Sequence, residues 1–161
     1  MDRKILYRGR EYRLVLRREP ARKRIQVELE EDKLLISTPN TEPALIYKAI
    51  EKWYIGQAHM IFPVRVMHYL QFTGGEVKAI RIKDQKTRWG SCSSLHNLNF
   101  NWRLIMAPAE VLDYVVVHEL CHLTHMNHSR DFWNMVEEVM PDYRVHRKWL
   151  KDNGNRLFMK Y

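Results

Sequence analysis

The chain has 161 residues, 45% hydrophobic and 29% charged, with 5 Trp, 8 Tyr and 5 Phe. This composition excludes disordered, collagen-like and linker-dominated chains, and the length fits one domain over residues 1–161. The 27 Lys and Arg against 19 Asp and Glu give a net charge of +8, which favours polyanionic or phosphate-bearing partners and keeps nucleic acid among them. No apolar run approaches a membrane span, so no membrane partner is expected. The charged opening Met1-Asp2-Arg3-Lys4 lacks the apolar block of a secretory leader. Two cysteines, Cys92 and Cys121, are too few for a disulfide framework. Together these features point to a reduced, cytoplasmic protein.

The first third reads as strands. Residues 12–18 form one, followed by a turn at Glu19-Pro20. Ile25, Val27 and Leu29 alternate with polar residues, the period of a half-buried strand. Glu31-Asp32 turns the chain, and residues 34–38 return. Thr41 is placed to cap a helix starting at Glu42, with Pro43 in its first turn. Ile46, Ala49, Ile50, Trp53 and Tyr54 have helical spacing, and Pro63 is expected to break or kink that helix before a second piece over residues 64–70.

After the turn Thr73-Gly74-Gly75, residues 77–83 and 98–103 read as strands. Between them lies a small-residue loop over residues 86–94. From Pro108 the period becomes helical. Val111, Leu112, Val115, Val116, Leu120 and Leu123 make the helix apolar nearly all round, so it is expected to be buried. Asn127 offers a left-handed stop and Ser129 a cap for the next helix, whose Phe132, Trp133, Val136 and Val139 share a face. Pro141 ends it, and a last helix runs over residues 142–153 to Gly154. Strands first and helices later imply an α+β fold.

The chemistry concentrates in His118-Glu119-Leu120-Cys121-His122. Residues four apart share a helix face, so His118 and His122 present two imidazoles to one metal ion. Glu119 lies about 100° round the helix from His118, offset from the ligands but near a water on the metal. With 8 His in the chain, such a pattern arises by chance in roughly 3% of cases. A buried apolar helix makes the accident less plausible still, because unpaired imidazoles and a carboxylate are costly there. Zinc suits these ligand types, one ion with three protein ligands and one open position.

The third ligand comes from His125, His128, or an acid such as Glu137 or Glu138. On one straight helix, His118, His122 and His125 span about 10 Å of rise, too far for one ion. His128 lies beyond Asn127, where the chain turns back, and is preferred.

The run from His118 to His122, with Met126-Asn127-His128-Ser129 and Phe132-Trp133, resembles the YgjP-like metallopeptidase domain family. So do Arg88-Trp89-Gly90-Ser91-Cys92-Ser93 and Asn101-Trp102-Arg103-Leu104. The resemblance implies a zincin-like metallopeptidase domain with zinc on His118, His122 and His128, and Glu119 as general base. SprT-like and WLM proteases look like more distant relatives. A nucleoside triphosphate pyrophosphatase is also known in the family, so the substrate is either a peptide or protein, or a nucleotide. A module with purely structural zinc is the third reading.

Arg88 and Arg103 are the candidate substrate-binding residues, able to take a carboxylate or phosphate in a bidentate fork. The plainer reading is an ion pair to an acid such as Asp113. Trp89 and Trp102 read as core aromatics. Ser91, Ser93 and Ser94 make a weak anion cradle, and both cysteines read as structural. Tyr143 and His146 are minor candidates for a transition-state donor. Asn99 and Asn101 read as the polar face of a strand, and residues 98–103 as an edge that aligns an extended peptide. The basic turn with Arg17, Arg18, Arg22, Lys23 and Arg24 reads as a solvated face.

Overall fold

The computed structural model describes residues 3–158. The opening Met1-Asp2 and the last three residues of the expected 1–161 domain lie outside them. Among the described residues, seven strands and four α-helices are arranged as α+β. The first sheet has the order β1-β2-β4-β3, from β1 (Lys4–Tyr7), β2 (Arg10–Arg18), β3 (Gln26–Leu29) and β4 (Lys33–Thr38). Its central pair, β2 and β4, is parallel, and the outer pairings are antiparallel. Strand β4 is buried from Leu34 to Thr38, as an inner strand's apolar run requires. Strand β1 was not expected; it is short, and Lys4 masks its alternation. In the basic turn, Arg22 is tied back to Glu19 at 2.6 Å.

Helix α1 (Pro43–Thr73) runs unbroken through Pro63, against the expected break. A proline inside a helix removes one hydrogen bond and crowds the carbonyl four residues back. Burial offsets this: Ile46, Ile50, Tyr54, Ala58, Phe62 and Val66 form one stripe four residues apart on both sides of Pro63. Thr41 does not cap the helix. Asn40 Oδ1 accepts from the Glu42 N–H at 2.8 Å instead, and Pro43 starts the first turn.

The second sheet has the order β5-β7-β6, from β5 (Ala79–Lys83), β6 (Gly90–Cys92) and β7 (Asn97–Asn101). Strand β6 lies inside the expected loop, where its small residues carry no strand signal. Strand β7 ends at Asn101, not Arg103, because the Asn101 side chain accepts from the Arg103 N–H and starts a 3₁₀ turn, Trp102–Met106. Asn101 is not the polar face of a strand. It is fully buried and donates to the carbonyls of Gln85 and Arg88, so it holds the loop before β6 in place.

Helix α2 (Ala109–Cys121) is buried nearly all round, as expected. One apolar core joins both sheets to α1 and α2. Within it, Phe62 of α1 stacks on Phe100 of β7 with ring centroids 4.6 Å apart. Asp113, the acid expected to pair with Arg88 or Arg103, is held by Arg65 of α1 through two bonds of 2.8 Å and by the Tyr69 hydroxyl at 3.1 Å. Helix α3 (Arg130–Val139) starts at Ser129, whose Oγ accepts from the Phe132 N–H as expected. Helix α4 (Tyr143–Asn153) follows, and Gly154 opens a closing 3₁₀ turn in right-handed conformation. No described helix is long and apolar enough to cross a membrane.

The Asp113 fork bolts α1 to the helix that carries the histidines. Replacing Arg65 with Ala leaves a nearly buried carboxylate without its cation, so chemical denaturation is expected to show a loss of about 3 kcal/mol. A loss below about 0.5 kcal/mol, the range of an exposed ion pair, would contradict this role.

Candidate metal centre

Two consecutive helices and the turn between them bring the histidines together. Helix α2 ends at Cys121, with His122 as its C-cap in right-handed conformation. The expected left-handed stop at Asn127 is absent; only Arg8 and His96 among described non-glycine residues have positive φ. The chain unwinds after His122, and the Ser129 cap fixes the start of α3. His128 precedes that cap directly, which fixes the direction from which its ring returns.

One ring nitrogen from each of His118, His122 and His128 lies within 4.8 Å of the others. The Nε2 atoms of His122 and His128 are 3.1 Å apart. Two ligands on one tetrahedral zinc, each at about 2.1 Å, stand about 3.4 Å apart, so the spacing fits a shared ion. The Nδ1–H of His122 donates to the His125 carbonyl at 2.8 Å, which sets the tautomer and leaves Nε2 free as a donor to metal. His125 thus contributes its backbone, and its ring is outside the cluster. The donor set, three imidazoles with a carboxylate beside them, suits zinc.

Glu119 is 4% exposed, and its Oε2 lies 3.0 Å from His118 Nδ1. The strand β6 presses on it. A Cβ on Gly90 would stand 3.0 Å from Glu119 Cγ and 3.1 Å from Oε2. Any side chain here would make Glu119 or the Asn99 carbonyl give way by a few tenths of an ångström, a role for Gly90 that the sequence reading missed. An RWGSC run holds a glycine for many reasons; only the contact reveals this one.

Aromatic rings wall the cluster. Phe132 stacks on His122 at 4.4 Å, Trp133 lies over His128 at 6.0 Å, and Tyr114 meets His118 edge-on at 6.0 Å. Burial pushes the Tyr114 hydroxyl up to about 12, with Glu119 adding to the rise and Arg147 opposing it. Burial lowers the His128 pKa, and the neighbouring His118 and His122 lower it further; a neutral imidazole is the metal-binding form. Burial, reinforced by Glu119, raises Cys92 to about 11 and Cys121 to about 12. Both therefore remain thiols at neutral pH, in keeping with structural roles.

A cavity of about 200 Å³ opens beside the cluster, lined by Arg88, Trp89, Gly90, Tyr114, Val115, His118, Glu119 and Leu150. Arg88 is therefore at the site. Arg103 is engaged elsewhere, bonded to Asp84 at 2.6 Å with its guanidinium between the rings of Trp102 and Phe158. Trp102 is buried in the core, whereas Trp89 is half-buried and faces the cavity. Ser91 accepts from Asn99 and Ser93 from the Asn97 N–H, so these hydroxyls serve the loop itself. His146 pairs with Asp142, and Tyr143 is buried against Trp133. Glu137 pairs with Arg144, and neither Glu137 nor Glu138 belongs to the histidine cluster.

The model of the YgjP-like metallopeptidase domain matches residues 2–153. Among solved structures, the metallopeptidase zymogen abylysin of Pyrococcus abyssi superposes with a TM-score of 0.51 at 23% identity, over 56% of this chain and 94% of that one. The metallopeptidase zymogen jannalysin of Methanocaldococcus jannaschii gives 0.43 at 27% identity, over 48% and 79%. A comparison with curated proteins finds no match. The abylysin likeness shows a shared fold, and the match across nearly the whole length shows that the chain belongs to the YgjP-like metallopeptidase domain family, a family of metal-dependent hydrolases.

Proposed function

We infer that the chain is a zinc-dependent peptidase in which His118, His122 and His128 hold one ion and Glu119 is the general base. The observation that carries this reading is the convergence of three imidazole nitrogens within 4.8 Å, with a nearly buried carboxylate at 3.0 Å from one of the rings. Zinc, when bound, supplies Lewis acidity, lowering the pKa of water towards 7 and polarising a carbonyl. Glu119 takes a proton from the attacking water as its oxygen bonds to the peptide carbonyl carbon. Glu119 then delivers that proton to the departing amine as the C–N bond breaks. The products are a carboxylic acid and an amine.

The peptide-aligning edge assigned to residues 98–103 needs correction. Strand β7 is the middle strand of its sheet, with β5 on one side and β6 on the other. Strand β6 is at an edge, and its first residue, Gly90, touches Glu119. An extended peptide added to β6 brings its carbonyls past the general base. The cavity favours a peptide over a nucleoside triphosphate. Its lining includes Trp89, Val115 and Leu150, and Arg88 is its one cation among the described residues. A triphosphate calls for several converging cations. Arg88 is suited to bind one substrate carbonyl or carboxylate there.

Three substitutions test the reading. Glu119→Gln is expected to retain zinc, measured by plasma emission, while peptide hydrolysis falls by about 10³-fold, the usual scale for a lost general base. Full turnover in that variant would refute the mechanism. His122→Ala removes one of three ligands, and the protein is expected to lose its zinc together with activity. Gly90→Ala pushes on Glu119 without touching a ligand, so zinc content stays and kcat falls about tenfold, the scale of a small misplacement.

A further inference from the structure

Helix α4 carries a stripe of Tyr143, Arg147 and Leu150, spaced four and then three residues apart, so they share one face. This face turns towards the histidine cluster. Leu150 lines the cavity that holds Glu119. Tyr143 is buried and stacks on Trp133, with ring centroids 5.3 Å apart. Between them, the Arg147 guanidinium lies 4.6 Å from the centre of the Trp133 ring. Trp133 in turn lies over His128 at 6.0 Å and meets His118 at 5.7 Å. One indole therefore touches both a cation and two of the candidate ligands.

Most of the neighbouring charges on α4 are engaged, while Lys151, which lines the same cavity as Arg147, has no carboxylate partner among the described residues. Arg144 pairs with Glu137, Lys148 with Asp152, and His146 with Asp142. Among the described residues, Arg147 has no carboxylate partner. The Trp133 ring holds its guanidinium by one face, which leaves the in-plane N–H donors open. Arg147 also borders an open cavity of about 520 Å³ with Arg144, Lys148, Lys151 and Asp152, so an incoming group has room to reach it.

We propose that Arg147 determines specificity: it selects peptides that carry a carboxylate close to the scissile bond and binds that carboxylate through its open fork. The proposal rests on the peptidase reading above and names the substrate class of that site. An Asp or Glu side chain and a free C-terminus present the same group, and either satisfies the fork.

Matched fluorogenic peptides test this. They differ only in Glu against Gln on either side of the scissile bond, or in a free against an amidated C-terminus. The zinc-loaded full chain is compared with its R147Q and R147E forms. In parallel, fluorescence polarisation measures binding of the same peptides to the Glu119→Gln protein. The wild type is expected to prefer the acidic member by about tenfold in kcat/KM, the scale of one charge-assisted contact. In R147Q the ratio falls towards one, and in R147E it inverts in favour of the uncharged member, a result that misfolding does not mimic. The pair of peptides showing the preference identifies the source of the carboxylate. An unchanged ratio in both variants would overturn the proposal. So would inorganic triphosphate competing at lower concentration than the acidic peptide. If no peptide is cleaved, the peptidase reading fails by itself. Polarisation then decides on Arg147, and equal affinity for acidic and neutral peptides counts against it.

Discussion

Polar groups in an apolar helix must find partners, and that constraint organises the C-terminal half of this protein. Helix α2 buries Glu119 and delivers His118 and His122 at its end, among valines and leucines. Each unpaired group there would cost several times what a surface residue costs. The structure answers with close pairings: Glu119 against His118, His122 against the His125 carbonyl, and His122 against His128. The last of these sets two nitrogen donors facing each other, an arrangement that a shared cation satisfies fully.

Rigid surroundings give the cluster its shape. The Arg65–Asp113 fork fixes α2 on α1, and the Ser129 cap fixes where α3 begins. Phe132 and Trp133, the third and fourth residues of α3, then lie against the imidazoles. On the opposite side, Asn101 pins the loop that leads into β6, and β6 brings Gly90 against Glu119. The site is therefore compressed between a helix pair and a strand edge, with a cavity left beside Glu119. Such mutual fixing lowers the reorganisation needed when charge develops during hydrolysis.

The sequence was informative where a local pattern carried the physics. The all-round apolar character of α2 appears in the fold, and so does a strand at Val27, although Ile25 precedes that strand and Leu29 is exposed on it. The Ser129 cap is equally local. Where packing overrode local preference, the sequence misled. Pro63 signals a break, yet the buried stripe from Ile46 to Val66 carries the helix through it. Asn101 looks like a solvated strand residue and is instead fully buried, because three nearby backbone groups need its side chain. Strand β6 has no strand-forming residues and exists because β7 offers it a ladder.

The sequence by itself pointed to the candidate metal centre and to the helix that presents two of its histidines. Spacing of four residues on a helix is a local property, and so is the Ser129 cap directly after His128. Only the tertiary structure decided which other groups surround those rings. Arg103 is spent on Asp84, Gly90 makes room for Glu119, and Arg147 is held over Trp133. These contacts join residues distant in the chain, and no local period encodes such distances. They arise when the core closes, because burial aligns whole elements and the side chains between them take whatever partners that alignment leaves.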